Sequence, residues 1–434
     1  MKLKIRRHRI QYWIALFYVL LVLYMPNAIR DISTVYSINA TGYVAMDAWN
    51  RSNPWLAYSF SIIEIFSILV AILYIGRKKL IDIWPIVVLV FIKEIFRALF
   101  GATNIFQYGS IGDYSLILPL IVGYGCFLII TGPSVSIEVE DVLDLIIILN
   151  FVTQILFAIT GRQMEYGGRY AALGSTSGVV GEMCFHYIIY YLFARNSTKR
   201  AMISVVACLL SLVLSGSRTN LGFTILFIVL FAFKIRGGLE LNKTKRKIFL
   251  IILLISIIAI PLMMSFSSLT VFGRVFDRME TFIASIFGQD RSSYLSSDGT
   301  FIARINSINT GLKILAQNPF GISSSTIDLQ METIANGYYT FPHSVVISYY
   351  LLWGVASLLV FGFIGKYIVK AIKLKSQVVV ILSSIAISFL IYGSPIINAK
   401  SYFWFIAVFA YCKQELIKQE MGNTHIERAG LSNE

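Results

Sequence analysis

The sequence has little charge for its length. Only 14% of the 434 residues are charged and 57% are hydrophobic, whereas soluble proteins carry about 25% charged residues. A water-soluble chain of this size needs far more polar surface, so the composition excludes an ordinary soluble protein. The mean hydropathy is +0.73, and apolar runs of about 20 residues recur along the chain, each long enough to cross a bilayer core. The sequence therefore predicts a polytopic membrane protein.

Patterns typical of disulfides and metal sites are also missing. The four cysteines fall within or at the end of apolar segments, and none is paired at CxxC or CxxxC spacing. We interpret them as small buried side chains. The acidic residues between the apolar segments of the predicted outer side are isolated or scattered, so no carboxylate cluster for a metal is evident. We expect neither a metal nor a cofactor.

The first apolar stretch follows a basic start and ends near Pro26 without a small-x-small cleavage site. We expect it to be retained as the first helix. The predicted fold is an all-α transmembrane bundle of about twelve helices. The predicted spans are 11–25, 55–75, 80–100, 114–131, 142–160, 175–194, 201–216, 219–235, 248–265, 343–364, 377–393 and 401–412.

The basic residues predict the orientation of the bundle. Loops on the N-terminal side contain about twice as many lysines and arginines as the opposite loops, which predicts cytoplasmic N and C termini. This bias also accounts for the net charge of +14, so we expect no nucleic-acid binding. One predicted cytoplasmic loop, 133–141, is acidic and does not follow the rule.

The two sides also differ in the kind of basic residue. The predicted cytoplasmic set is mostly lysine, whereas the outer set is almost entirely arginine. Arginine presents a planar fork that binds phosphate or carboxylate with two hydrogen bonds. The outer arginines therefore either form an anion site or make surface salt bridges with nearby acidic residues.

A long outer loop divides the chain into three parts, which are helices 1–9 (1–265), the loop (266–342), and helices 10–12 with a cytoplasmic tail (343–434). A loop of this length is typical of a functional segment. Residues 299–317 predict a helix within it that ends at Asn318-Pro319, and Ile302, Ile305, Ile308, Leu312 and Leu315 would share one face. A second outer segment, 161–177, is rich in glycine, which permits close approach of a ligand to the backbone.

Several charged or polar residues lie within the apolar spans, where each is expected to face the bundle or a cavity. Glu64, Lys93, Glu94 and Arg97 have the spacing of a structural ion-pair cluster. Asp144 lies near the cytoplasmic interface and would snorkel or cap. Glu182 lies about two turns below the glycine-rich outer segment, where a carboxylate can orient a guanidinium or take a proton. His186 is four residues deeper and is interpreted as a core histidine.

Several short motifs together resemble O-antigen polymerases and ligases. Ser215-Gly-Ser-Arg218-Thr219 resembles their Ser-x-Ser-Arg segment, and Arg304 followed by Asn318-Pro-Phe-Gly321 resembles their outer-loop pattern. His343, followed after ten residues by Gly354, matches the pattern associated with ligases. Arg162 and Arg169 lie in the loop where these families place a substrate-binding arginine. The Arg, ten residues, Gly pattern of some polymerases is absent.

This resemblance implies transfer of a glycan from undecaprenyl diphosphate onto a sugar hydroxyl, on the outer side of the bacterial cytoplasmic membrane. Preorganised arginines would then stabilise the diphosphate without a metal. The expected diphosphate-binding residues are Arg162, Arg169, Arg218 and Arg304. His343 is expected either to complete the phosphate site or to act as general base, with Glu182 as the alternative base. For Arg218 and His343 the alternatives are helix-end anchoring and an interfacial hydrogen bond.

The expected function is polymerisation of a polysaccharide, either O-antigen or capsule, with a second lipid-linked repeat unit as acceptor. A ligase acting on the lipid A core is one alternative. A lipid-linked sugar flippase is another, although the chain shows no repeat relating its two halves, and a metal-dependent glycosyltransferase has only Asp31 and Asp47 in its favour. Expected partners are the lipid-linked donor and acceptor, membrane lipid, a chain-length regulator and a flippase.

Overall fold

The structure is a computed structural model, and most of the regions it describes are helical. It describes residues 10–24, 66, 69, 73, 88, 108–131, 138–160, 164–165, 169–193, 198–236, 299–318, 321, 344–354, 356–391 and 399–431. The helices are α1 Ile10–Tyr24, α2 Tyr108–Thr131, α3 Val139–Thr160, α4 Ser177–Phe193, α5 Lys199–Ser215, α6 Arg218–Arg236, α7 Gly299–Gln317, α8 Val345–Trp353, α9 Ala356–Lys373, α10 Val378–Ile391 and α11 Ala399–Leu431.

These bounds confirm the helical character of the chain and agree with most of the predicted spans that the structure describes. Within those ranges, α3 is long and apolar enough to cross a membrane, with a mean hydropathy of 2.3 over its most apolar window, and several shorter helices are also apolar. The predicted spans 55–75, 80–100 and 248–265 lie outside the described residues, apart from single helical positions. The count of twelve and the orientation stay predictions.

Two predicted spans differ from the structure. The single helix predicted over 343–364 is wrong, because α8 ends at Trp353 and Gly354 takes φ 60° and ψ −138° before α9 begins. Nine residues of helix are about 13 Å long, which is less than half of a bilayer core. The last helix was predicted over 401–412 but continues to Leu431. Hydropathy detects only the apolar part of such a helix.

A short hairpin follows α3 and departs from a purely helical fold. Its strands, β1 Met164–Glu165 and β2 Arg169–Tyr170, pair antiparallel with Met164 opposite Tyr170 and Glu165 opposite Arg169. The strand β2 packs against α3 and α5. The glycine-rich outer segment is therefore an ordered connection between α3 and α4 at the residues that the structure describes.

The described residues fall into two compact units. The first contains α1, α3 to α6, both strands, the later part of α2 and the first residues of α11. Its centre is α4, which packs against α3, α5 and α6 and is buried at every position except Gly178. A helix that is buried all round must be apolar on every face, and α4 is apolar apart from a few side chains, among them Glu182 and His186.

The second unit contains α7 to α10 and the remainder of α11, and α8 packs against α7, α9 and α10. The bounds predicted for α7 are confirmed, and Asn318 caps its end by donating its side-chain N–H to the Ile314 carbonyl at 3.0 Å. The predicted apolar face is partly wrong, because Leu312 is 47% exposed. Among positions 307–317, for which burial is described, residues 307, 310, 311 and 314 are buried, so three small residues and one isoleucine face inward there.

Candidate functional site

The Ser-Gly-Ser-Arg segment forms the tight connection between α5 and α6. Gly216 caps α5 in the left-handed conformation, with φ 57° and ψ 23°, and its N–H donates to the Val213 carbonyl. Glycine adopts this conformation without steric cost, which explains its place between the two serines. Arg218 is then the first residue of α6. The backbone of Arg218 is therefore fixed immediately after a short, ordered turn.

This turn lies directly against the beginning of α4. A Cβ atom added to Gly181 would lie 2.8 Å from Ser217 Cβ and 3.2 Å from Ser215 Oγ. Asn220 donates to Ser217 Oγ at 2.8 Å and to the Gly178 carbonyl at 3.4 Å. The absence of a side chain at Gly181 therefore lets α4 approach the turn that precedes Arg218.

Glu182 follows Gly181 and is brought to the same end of the first unit as Arg218. Its side chain is only 4% exposed. A buried carboxylate needs a cationic or hydrogen-bonding environment, because its desolvation is costly. The structure thus confirms that Glu182 is buried close below the outer segment, as expected from its place in the chain.

The segment that carries Arg169 is held at this end by side chains of α3. Gln154 donates from Nε2 to the Tyr170 carbonyl at 2.9 Å, and the Leu173 N–H donates to Thr153 Oγ1 at 3.2 Å. Residues 172 and 175 close a tight turn through two backbone hydrogen bonds. Burial raises the pKa of the Tyr170 phenol above its ordinary value, so this ring stays neutral beside an expected anion site.

Polar side chains also fix the opposite end of the first unit. Tyr187 donates to the buried Asp144 carboxylate, and Tyr190 donates to Glu140 Oε1 at 2.8 Å. Arg200 bonds Asp141 at 3.0 Å and lies 3.7 Å from Asp144 Oδ2. The acidic residues at the end of the loop 133–141 and just beyond it therefore face tyrosines and an arginine, which explains an acidic loop on a side predicted to be basic.

In the second unit, two glycines of the recognised motifs touch each other. Gly321 has φ +83°, and a Cβ atom there would lie 2.8 Å from the Leu351 carbonyl oxygen and 2.9 Å from the Gly354 nitrogen. The Asn318-to-Gly321 turn thus packs against the end of α8, backbone to backbone. Arg304 lies on α7, about four helical turns before Asn318. Two motifs that are distant in sequence therefore share one contact.

The residues matched by a family model include most of these motifs. Residues 203–362 match the model of the O-antigen ligase family. The match covers 160 of the 434 residues, so this segment of the chain is similar to that family. No curated protein is similar enough to the chain to count as a match. The family contains membrane enzymes of polysaccharide biosynthesis, both polymerases and ligases, so the suspected resemblance is confirmed.

The family region contains Arg218, Arg304, His343 and Gly354, whereas Arg162, Arg169 and Glu182 precede it. The structure places Arg169, Glu182 and Arg218 in the first unit, and Arg304 in the second. Arg162 and His343 lie outside the described residues, so their predicted roles stay predictions. The residue after His343 is fixed, since Ser344 caps α8 and donates to the Leu390 carbonyl at 3.1 Å.

The predictions for His186 and the cysteines agree with the structure, whereas the prediction that Asp144 snorkels or caps is wrong, because its side chain is fully buried against Tyr187 and Arg200. His186 is fully buried and its ring lies 5.0 Å from that of Phe185. All four cysteines are buried thiols. Within the described ranges, no three histidine, cysteine or acidic residues come together as a metal-binding group, and the expectation that the protein needs no metal stays a prediction. The residues of the predicted Glu64, Lys93, Glu94 and Arg97 cluster lie outside those ranges.

Sequence reasoning missed a cation, Lys400, that is fully buried in the part of the chain that the structure describes. Lys400 directly precedes the predicted span 401–412, which placed it among the outer basic residues, but it is in the first turn of α11 and fully buried. It donates to Asn150 Oδ1 at 3.0 Å and to the Leu173 carbonyl at 2.7 Å. One feature of the sequence could have singled out Lys400. It is one of very few lysines among outer basic residues that are almost entirely arginine.

Proposed function

We propose that this protein is a multi-pass glycosyltransferase of the bacterial cytoplasmic membrane that polymerises a surface polysaccharide. It transfers an undecaprenyl-diphosphate-linked glycan onto a sugar of a second lipid-linked repeat unit. The observation that carries this proposal is the family match over 203–362, which includes the turn before Arg218, the helix of Arg304 and the Gly354 motif. The flippase alternative has no support in that match.

The proposed reaction is a displacement at the anomeric carbon of the donor sugar. The acceptor hydroxyl oxygen bonds to that carbon, the bond from the carbon to the phosphate oxygen breaks, and undecaprenyl diphosphate leaves with the electron pair. The hydroxyl proton passes to a general base. His343 and Glu182 are the two candidates for the base. In this scheme the leaving diphosphate needs charge stabilisation more than it needs a strong acid.

Arginines would supply that stabilisation. Arg169, Arg218 and Arg304 are the proposed diphosphate ligands, with Arg162 as a further one, because a guanidinium offers two parallel hydrogen bonds to a phosphate. The support in the first unit is that the Arg169 segment, Glu182 and the Arg218 turn lie at one end of the same helices. In many enzymes, the largest contribution to the rate comes from charged or polar groups that are already positioned where charge develops in the transition state.

Ligase activity is the second candidate, and one observation favours it. The family description itself names O-antigen ligase, and the His343 to Gly354 spacing is the pattern associated with ligases. The two activities share the donor and differ in the acceptor. A polymerase extends another lipid-linked repeat unit, whereas a ligase modifies the lipid A core.

Purified protein supplied with the donor and either acceptor separates these functions. We expect chains of increasing length with lipid-linked repeat units alone, and no transfer to the lipid A core. Polymerisation should also continue in excess EDTA, since arginines take the place of a cation. Transfer only to the lipid A core would identify a ligase. Loss of activity that Mg²⁺ or Mn²⁺ restores would identify the metal-dependent class. Arg218→Ala protein is the inactive control.

A further inference from the structure

Lys400 is a fully buried cation that the proposed reaction does not use directly. Its Nζ atom lies 4.4 Å from the centre of the Tyr24 ring, in addition to its bonds with Asn150 and the Leu173 carbonyl. Burying an ammonium group is costly, and an apolar side chain of similar size is often as stable or more stable at such a place. The cost of burying its charge therefore indicates that Lys400 has a role other than filling the core.

Three helices determine where the ammonium group lies. Tyr24 of α1 donates to Asn150 Oδ1 at 3.1 Å and to the Ile146 carbonyl at 3.2 Å, so α1, α3 and Lys400 meet at one amide. A Cβ atom at Gly123 of α2 would lie 2.8 Å from the Ala399 carbonyl oxygen. This close approach fixes the first turn of α11 against α2. The ammonium group is thus held by rigid elements.

What the ammonium group holds is the segment that follows Arg169. Its bond to the Leu173 carbonyl is the shortest of three contacts from side chains to the backbone of residues 170–173, the others coming from Gln154 and Thr153. Thr153 bonds the N–H of Leu173 and Lys400 bonds its C=O. Leu173, four residues after Arg169, is therefore held through both its backbone N–H and its backbone C=O.

We propose that Lys400 is a positioning residue for the lipid-linked diphosphate donor. It acts by fixing residues 169–175, so that Arg169 meets the diphosphate in a preset place. This inference rests on the proposed function, in which Arg169 binds the donor. Preorganisation matters because ordering a flexible set of charged ligands costs free energy. That cost reduces the net stabilisation of the transition state.

The first experiment measures the segment itself, without substrate. In Lys400→Met protein we expect hydrogen exchange at the Ala172, Leu173 and Ser175 amides to become at least about tenfold faster. Exchange in α9 and α10 should be unchanged. Lys370→Met is the matched control, since this lysine bonds Glu420 at 2.6 Å in the second unit. Unchanged exchange at residues 172–175 would overturn the inference.

The second experiment measures transfer in a double-mutant cycle. Lys400→Met and Arg169→Ala should each slow chain extension, by about tenfold to a hundredfold for the lysine. If Lys400 acts through the Arg169 segment, the double variant should be no slower than Arg169→Ala alone. Effects that multiply in the double variant would mean that Lys400 acts elsewhere and would overturn the inference.

Thr153 provides a variant that changes one atom. Thr153→Val removes the acceptor of the Leu173 N–H and keeps the shape, whereas Thr153→Ser keeps the hydroxyl. We expect the valine variant to behave like Lys400→Met and the serine variant to resemble the wild type. Faster exchange with normal transfer in both Lys400→Met and Arg169→Ala would overturn the positioning role. The proposed function itself would fail if wild-type protein extended no lipid-linked repeat unit, whatever the exchange result.

Discussion

Gly181→Ala tests whether close packing between α4 and the Ser215–Arg218 turn sets the activity. The added Cβ atom would lie 2.8 Å from Ser217 Cβ, whereas carbon atoms in contact are about 3.5–4.0 Å apart. Ser217 must therefore move by about 0.7–1.2 Å. The position of Ser217 Cβ is set by the backbone of the turn, so a change of rotamer does not relieve the contact.

The expected effect on stability is small because two contributions oppose each other. Overpacking of this size costs about 1–3 kcal/mol. Alanine in place of glycine inside a helix stabilises it by about 1 kcal/mol. The free energy of unfolding should therefore fall by no more than about 2 kcal/mol. The amount of protein in the membrane should stay near that of the wild type.

The expected effect on activity is large because Arg218 follows Ser217 directly. A misplacement of 1 Å can lower the rate of a positioned reaction by about 100-fold, which corresponds to about 2.7 kcal/mol in the activation free energy. The assay is the initial rate of chain extension by purified protein, together with the chain-length distribution on a gel. Both should change strongly in Gly181→Ala.

Gly222→Ala is the matched control for this substitution. Gly222 lies in α6, one turn after Arg218, and an added Cβ atom would meet nothing within 4 Å. It should therefore gain helix stability and keep normal activity. Well-expressed Gly181→Ala protein with a normal rate would refute the reasoning, because the contact would then not fix Arg218.

Three further predictions follow from other positions. Arg218→Lys should slow transfer by about tenfold to a hundredfold at a normal protein level, since lysine loses one charge-assisted hydrogen bond; a normal rate would indicate that Arg218 only anchors its helix. Gly321→Ala should lower the free energy of unfolding by about 2–4 kcal/mol through overpacking and positive φ, while Gly362→Ala, which meets nothing, should not. Reporter fusions should read cytoplasmic at Lys373 and outside at Ser297; an outside signal at Lys373 would contradict the predicted loop.

Helix positions could be predicted from the sequence because apolar composition and end signals are local. The helix over 299–317 is the clearest case, since Asn318-Pro319 ends it and the structure confirms both bounds. The break at Gly354 could not be predicted in this way. Its neighbours are apolar on both sides, and the reason for the break is a contact with Gly321, more than 30 residues away in the chain.

The candidate site was predictable in its residue types but not in its supporting contacts. Arginine on the outer side indicated an anion, and the Ser215-to-Thr219 motif indicated where one of the arginines lies. The roles of Gly181 and Lys400 depend on which helices are neighbours, and neither periodicity nor charge reports that. Asp144 illustrates the same point, since its partners Tyr187 and Arg200 come from two other helices.

The two ends of α4 are held by different kinds of contact. Tyr187 and Tyr190 bind carboxylates of α3 through their hydroxyl groups, whereas at the other end Asn220 bonds the Gly178 carbonyl and Gly181 lies close to Ser217. The two ends therefore respond to opposite kinds of substitution. Removal of a hydroxyl oxygen weakens the tyrosine end, whereas the glycine end is sensitive to added atoms.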